Sequence, residues 1–141
     1  MIKSGNNFLR NVDLGLLLLR LSVGGLMLFH GAHKVIYGVG PIGDMLANIG
    51  LPSFIAYGAL AAELVAALLI LIGAWTRLAS VVLAGNMAVA ILMAHASQIF
   101  SLNPDTGGLA IELPLIYLLG AAALCFTGGG NYAVTKGSVF D

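Results

Sequence analysis

Four stretches of this chain, roughly residues 13–33, 54–74, 77–98 and 109–127, each run for about twenty residues with hardly a charge. A helix rises about 1.5 Å per residue, so about 20 mostly apolar residues cross the hydrocarbon core of a bilayer. Water is a poor solvent for the whole. The 141 residues are 60% hydrophobic and 9% charged, where a soluble domain carries about 25% charged residues. The pattern predicts an all-α, integral membrane four-helix bundle, one transmembrane domain over residues 1–141, with the lipid bilayer as its first partner. Net charge is zero and no basic tract occurs, which argues against nucleic acid. The single Cys125 excludes an intrachain disulfide and CxxC redox chemistry within this sequence.

The breaks between spans differ in kind. "YGVGPIGDMLANIGLPS" reads as a long loop punctuated by Gly, Pro and Asn, whereas "GAWTR" is short enough to force spans two and three into a tight antiparallel hairpin. "SLNPDTGG" opens the fourth span, with Asp105 or Thr106 as its cap, and Pro114 falls in the first turn or two, where a missing N–H costs least. Lys3 and Arg10 before "LGLLLLRLSVGGLMLF" imitate a secretory signal, but Arg20 interrupts the run and no A-x-A-like site follows, so the segment reads as a retained helix. Four spans put both termini on one side. That side collects Lys3, Arg10, Arg77 and Lys136, while Lys34, Asp44 and Asp105 fall on the other. The positive-inside rule then makes the termini cytoplasmic, in a multi-pass protein of the cell (inner) membrane.

Ionisable groups inside the spans demand an account, because an Arg, Lys or Asp at a span centre costs about 2.5–3.5 kcal/mol on insertion scales. The spans hold Arg20, His30, Glu63, His95 and Glu112, with Lys34 at an end. Depth from helical rise brings Arg20 within reach of Glu63, predicting a structural ion pair between spans one and two. The same rise puts His30, His95 and Glu112 at one level near the outer boundary, with Lys34 a turn beyond. At 100° per residue Arg20, Gly24, Met27, Gly31 and Lys34 share one stripe of span one, Ala59, Glu63, Ala66, Ala67 and Gly73 one stripe of span two, and Ala84, Ala88, Ile91 and His95 one stripe of span three. Asn86 faces away from that last stripe. Each polar residue has an ordinary explanation: Lys34 snorkelling, Glu112 at a helix N-terminus, His30 at the wet interface, Gly24 and Gly31 as packing residues. Their shared level points to a site, with His30 and Glu112 as catalytic candidates and Lys34 and His95 as ligand-binding ones.

Four segments carry a resemblance. "RLSVGGLMLFHGAHKVIYG", "AAELVAALLILIGAWTR", "MAVAILMAH" and "ELPLIYLLGAAALCFTGGGNYAV" resemble, in turn, the four helices of the DoxX family. The matching polar positions are Arg20, His30, Gly31, Lys34, Glu63, Arg77 and Glu112. The resemblance implies a small four-helix prokaryotic membrane protein, similar to a membrane subunit of an archaeal thiosulfate:quinone oxidoreductase and to members of assemblies that handle thiol or oxidative stress.

Three mechanisms remain open on the residues. In the first, the chain is a membrane component of an oxidoreductase system, with a quinone as cofactor or a small anion near the outer face. His30, His95 and Lys34 donate to the quinone carbonyls and Glu112 relays protons. A redox partner protein brings the electrons, and a homo-oligomer is compatible with this arrangement. In the second, the protein is a non-enzymatic scaffold, lipid-binding protein or small-solute transporter. In the third, His30 and His95 ligate a haem or metal at matching depth.

Overall fold

A computed structural model describes residues 8–141; Lys3, one of the charges used to orient the chain, lies outside the described residues. Helix α1 (Val12–Tyr37) starts where the Asn11 side chain accepts from Leu14 N at 3.0 Å, and stops at Gly38, whose φ is +87°. A short helix α2 (Gly40–Asn48) follows, then α3 (Ser53–Ile72), α4 (Thr76–Ala94) and α5 (Glu112–Thr127). The first, third and fourth of these are long and apolar enough to cross a membrane, whereas α5, equally apolar, has 16 residues, just below the usual lower limit of about 17. The chain is thus an all-α, multi-pass membrane protein. Its outward-facing Leu18, Phe29, Val65, Leu92 and Leu119 are at home in lipid.

The long helices meet through small side chains. A Cβ on Gly24 would stand 2.6 Å from Ala67 O and one on Gly31 2.9 Å from Glu63 O, so the backbones of α1 and α3 touch at two levels two turns apart. Close approach of this kind needs glycine at those points. Between and around them lies the core, built from Val23, Met27, Ile70, Leu83, Met87 and Leu124 among others. Both α1 and α3 widen into a π turn, at Leu21–Gly25 and at Ala62–Ala66. Such turns often mark functional positions in helices. Arg20 precedes the first and Glu63 lies within the second.

One end of the bundle is closed by the last residues of the chain. Asn131 donates from its backbone N and from Nδ2 to the two Asp13 carboxylate oxygens, both at 2.8 Å. The Phe140 carbonyl accepts from Arg77 N at 3.0 Å and Leu78 N at 3.3 Å, and Thr135 Oγ1 accepts from Trp75 N at 2.8 Å. These bonds satisfy donors that the start of α4 would otherwise leave open. They gather the start of α1, the α3–α4 turn and the end of α5 at a single end.

Several expectations need correction. The long loop after the first span contains α2, because "GPIGDMLAN" has Pro41 in its first turn and buries Gly43 and Leu46. The third span ends at Ala94 and leaves His95 outside, as its C-cap with φ −133°. The fourth begins at Glu112 rather than 109, capped by neither Asp105 nor Thr106: Ile111 holds the N-cap without a side-chain bond. Asp105 N instead donates to Asn103 Oδ1, and Thr106 Oγ1 accepts from Gly108 N, so both residues are spent on the loop's own turns. Pro114 does fall in the first turn of α5.

Candidate functional site

Helix α1 presents its stripe of Arg20, Gly24, Met27, Gly31 and Lys34 toward α3, as the 100° spacing requires. The two cations on that stripe meet different partners. Arg20 is 2% exposed and donates to three backbone carbonyls: from Nη1 to Gly129 at 2.8 Å, and from Nη2 to Leu71 at 3.2 Å and Tyr132 at 3.3 Å. Lys34, fourteen residues on, donates to both carboxylate oxygens of Glu63, and Asn86 Nδ2 approaches Oε1 of the same carboxylate at 3.4 Å. Glu63 is 4% exposed, and among the described residues it is the buried carboxylate.

The expected Arg20–Glu63 pair is therefore wrong. Gly31 packs on Glu63, whereas a Cβ on Gly73 would stand 2.8 Å from the Arg20 guanidinium carbon. The levels of Gly31 and Arg20 on α1 are eleven residues, or about 16 Å, apart, beyond the reach of an Arg side chain. Depth counting failed because it set the end of α3 level with the start of α1. In fact α3 stops beside Arg20, and the chain after α5 fills the space below.

Two cavities flank the Lys34–Glu63 pair, and Glu63 lines both. The first, about 190 Å³, is bounded by His30, Glu63, His95 and Tyr117, with Met27 and Met87 among its apolar walls. The His30 ring meets Tyr117 edge-on, centroids 5.7 Å apart, and His95 Nδ1 lies 3.3 Å from Gln98 Oε1. The second, about 230 Å³, is bounded by Lys34, Glu63 and Asn86, with Met45 and Met93 in its walls. The structure thus brings His30 and His95 together, sets Lys34 in the neighbouring compartment, and leaves Glu112 out of both linings. Glu112 begins α5 and turns its carboxylate back onto Gly108 of the preceding loop. That loop is folded against itself by Asn103 N to Gly108 O at 2.7 Å and Ala110 N to Ser101 O at 2.9 Å.

Tyr117 and Asn86 join the site without having been expected there. Asn86 was visible as a polar residue off the His95 stripe of span three. The buried line of α4 in fact runs through Leu83, Met87 and Ile91, which rotates Asn86 toward Glu63. Tyr117 carried no polar company in the sequence to single it out. Among the described residues no three or more His, Cys, Asp or Glu side chains come together as a metal cluster. A cavity of about 150 Å³ takes a benzene ring, so the 190 Å³ beside His30 and His95 suits a single ring and is too small for a haem macrocycle.

Known proteins extend the picture. A protein of Bacillus subtilis (strain 168) named "Putative oxidoreductase CatD" is 32% identical over 119 residues, which cover 84% of this chain and 83% of that one. No solved structure matches the chain. The DoxX family model matches residues 15–96, the stretch that contains Arg20, His30, Lys34, Glu63 and His95, and the chain belongs to the DoxX family.

Proposed function

We propose that this protein is the membrane component of an oxidoreductase system and holds a single-ring quinone headgroup in the cavity between His30, His95, Tyr117 and Glu63. The observation that carries the reading is the composition of that cavity: proton-active side chains from four helical regions around an otherwise apolar space of ring size. Membership in the DoxX family and the name of the B. subtilis relative agree with a redox role. His30 donates to a carbonyl of the oxidised ring. A partner protein supplies two electrons, and two protons convert the two carbonyls to hydroxyls. Glu63, in the cavity wall, takes the relay role that the sequence suggested for Glu112.

The proposed topology has α5 as a fourth, short span, so that both termini share a side. The end gathering Arg10, Arg77 and Lys136 faces the cytoplasm by the positive-inside rule, in the cell membrane, and the His30 cavity lies toward the outer face. Purified protein in lipid nanodiscs is expected to bind a short-chain benzoquinone saturably, with about tenfold weaker affinity, or about 1.4 kcal/mol, in His30→Ala. Equal affinity in the two proteins, with both folded by circular dichroism, removes the site.

A further inference from the structure

The second cavity has its own chemistry, independent of the quinone reading. Its walls are almost wholly apolar, with Ile42 and Met45 contributed by α2 and Val89 and Met93 by α4. Its polar floor is Lys34, Glu63 and Asn86. Lysine has three N–H donors, and two carboxylate oxygens of Glu63 take two of them. Among the described residues the third has no partner, and Asn86 Oδ1 accepts no hydrogen bond. The lining therefore includes a residue with a spare donor, Lys34, and one with a spare acceptor, Asn86.

We propose that the Lys34–Asn86 cavity is a binding site for an uncharged, hydroxyl-bearing ring molecule. A hydroxyl donates one hydrogen bond and accepts others, so it answers Lys34 and Asn86 Oδ1 at once. Charge selects in the same direction. Lys34 and Glu63 neutralise each other, so an ionic head would bring an uncompensated charge to a largely apolar site. Size sets the body: about 230 Å³ is roughly half as large again as a cavity that takes benzene, enough for one ring with a short alkyl chain. Met45 and Met93 favour a ring over a branched aliphatic body, because thioethers adapt to shape and attract aromatic edges. Helix α2 contributes Ile42 and Met45 to the lining and lies between Gly38 and Gly50, with φ of +87° and +79°.

The four methionines beyond Met1 divide evenly between the compartments, Met27 and Met87 in one and Met45 and Met93 in the other. Methyl NMR of the full chain with 13C-labelled methionine, in detergent micelles, therefore reads each compartment separately. Titration with 4-propylphenol is expected to shift Met45 and Met93 saturably and leave Met27 and Met87 in place. Propylbenzene, without the hydroxyl, is expected to bind at least about tenfold more weakly, and 4-propylbenzylamine, which is charged, weaker still. Asn86→Leu is expected to bring the phenol and the hydrocarbon to similar affinity. Equal affinities for all three probes in the unsubstituted protein, unsaturable shifts at all four methyls, saturation at Met27 and Met87 instead, or an Asn86→Leu variant that keeps its preference for the phenol each overturn the proposal. A failure here leaves the quinone test at His30 untouched, since the two compartments report through different methionines.

Discussion

Helix α1 carries a cation in each half, Arg20 buried and Lys34 half-buried, and the two are satisfied by opposite means. Among the described residues Arg20 meets no carboxylate; it is held by three carbonyls, one from the end of α3 and two from the chain after α5. Lys34 has a carboxylate and a neighbouring amide, and open space on both sides of them. An arginine fork can spread over several fixed acceptors, which suits it to sealing an end. A lysine paired with one carboxylate leaves donors to spare and protons to move, which suits it to binding. The Arg20 end is a closure, and the Lys34 end is where the two proposed ligand sites lie.

The largest expected effect tests the closure. Arg20→Leu removes three charge-assisted bonds, each worth about 1.5–3 kcal/mol, and leaves the carbonyls of Gly129, Leu71 and Tyr132 open. The expected loss is about 4 kcal/mol in detergent unfolding, with faster proteolysis of residues 128–141 at temperatures where the helices persist. A variant within about 1 kcal/mol of the parent protein means the three bonds do not hold the end shut.

The pair at the other end is expected to behave differently under rescue. Glu63→Leu strands the Lys34 ammonium, 23% exposed, and is expected to cost about 3 kcal/mol, as loss of one partner of a buried pair does. Adding Lys34→Met is expected to return most of that stability, because the double variant replaces an ion pair by apolar groups. No second substitution at a carboxylate can rescue Arg20→Leu, since none pairs with it. If the Lys34→Met/Glu63→Leu protein is as unstable as the sum of its single variants, the two ends are alike after all.

Much of this contrast was legible in the residues, and the part that was not has a physical cause. The apolar runs revealed the helices, and the stripe of Arg20, Gly24, Met27, Gly31 and Lys34 revealed the face of α1 that α3 covers. Helical rise also set His30 and His95 at one level. Pairing failed because depth along a span depends on where its neighbour starts, and the offset between α1 and α3 goes with the backbone contacts at Gly24 and Gly31, which the limits of the apolar runs do not reveal. Glu112 was drawn to the right level yet the wrong direction, since a first-turn side chain follows the loop before it. Helix α2 was hidden by its Gly, Pro and Asn, which signal turns unless burial of Gly43 and Leu46 outweighs them.

A smaller effect probes the close packing of α1 on α3 between the two ends. Gly24→Ala drives a methyl into Ala67 O and Leu71 N, 2.6 and 2.7 Å from its ideal position, both backbone atoms that cannot turn aside. The cost is expected to be about 2 kcal/mol in unfolding, in the range of overpacked cores. Gly25→Ala, one residue away, meets only the Leu71 side chain at 3.6 Å and is expected to be neutral within about 0.5 kcal/mol, as a change without a clash should be. Equal losses at both positions mean that the close approach of α1 and α3 does not set the register separating Arg20 from Glu63.

The smallest expected effect lies inside the ligand end, at a residue that binds through another. His95 sits beyond the last turn of α4, where its Nδ1 faces Gln98 Oε1 at 3.3 Å. A carboxamide oxygen only accepts, so the tautomer that completes this contact carries its proton on Nδ1 and has Nε2 as its acceptor. With His95 in the cavity lining, an Nε2 acceptor turned toward the ligand would favour a quinol hydroxyl over a quinone carbonyl. The protein is therefore expected to bind the reduced form of a short-chain benzoquinone a few-fold more tightly than the oxidised form. Gln98→Leu frees the tautomer and is expected to narrow that preference by about threefold, or about 0.7 kcal/mol, while leaving the melting temperature unchanged. A Gln98→Leu protein with the same ratio of quinol to quinone affinity separates His95 from the redox state of the ligand and leaves His30 to discriminate alone.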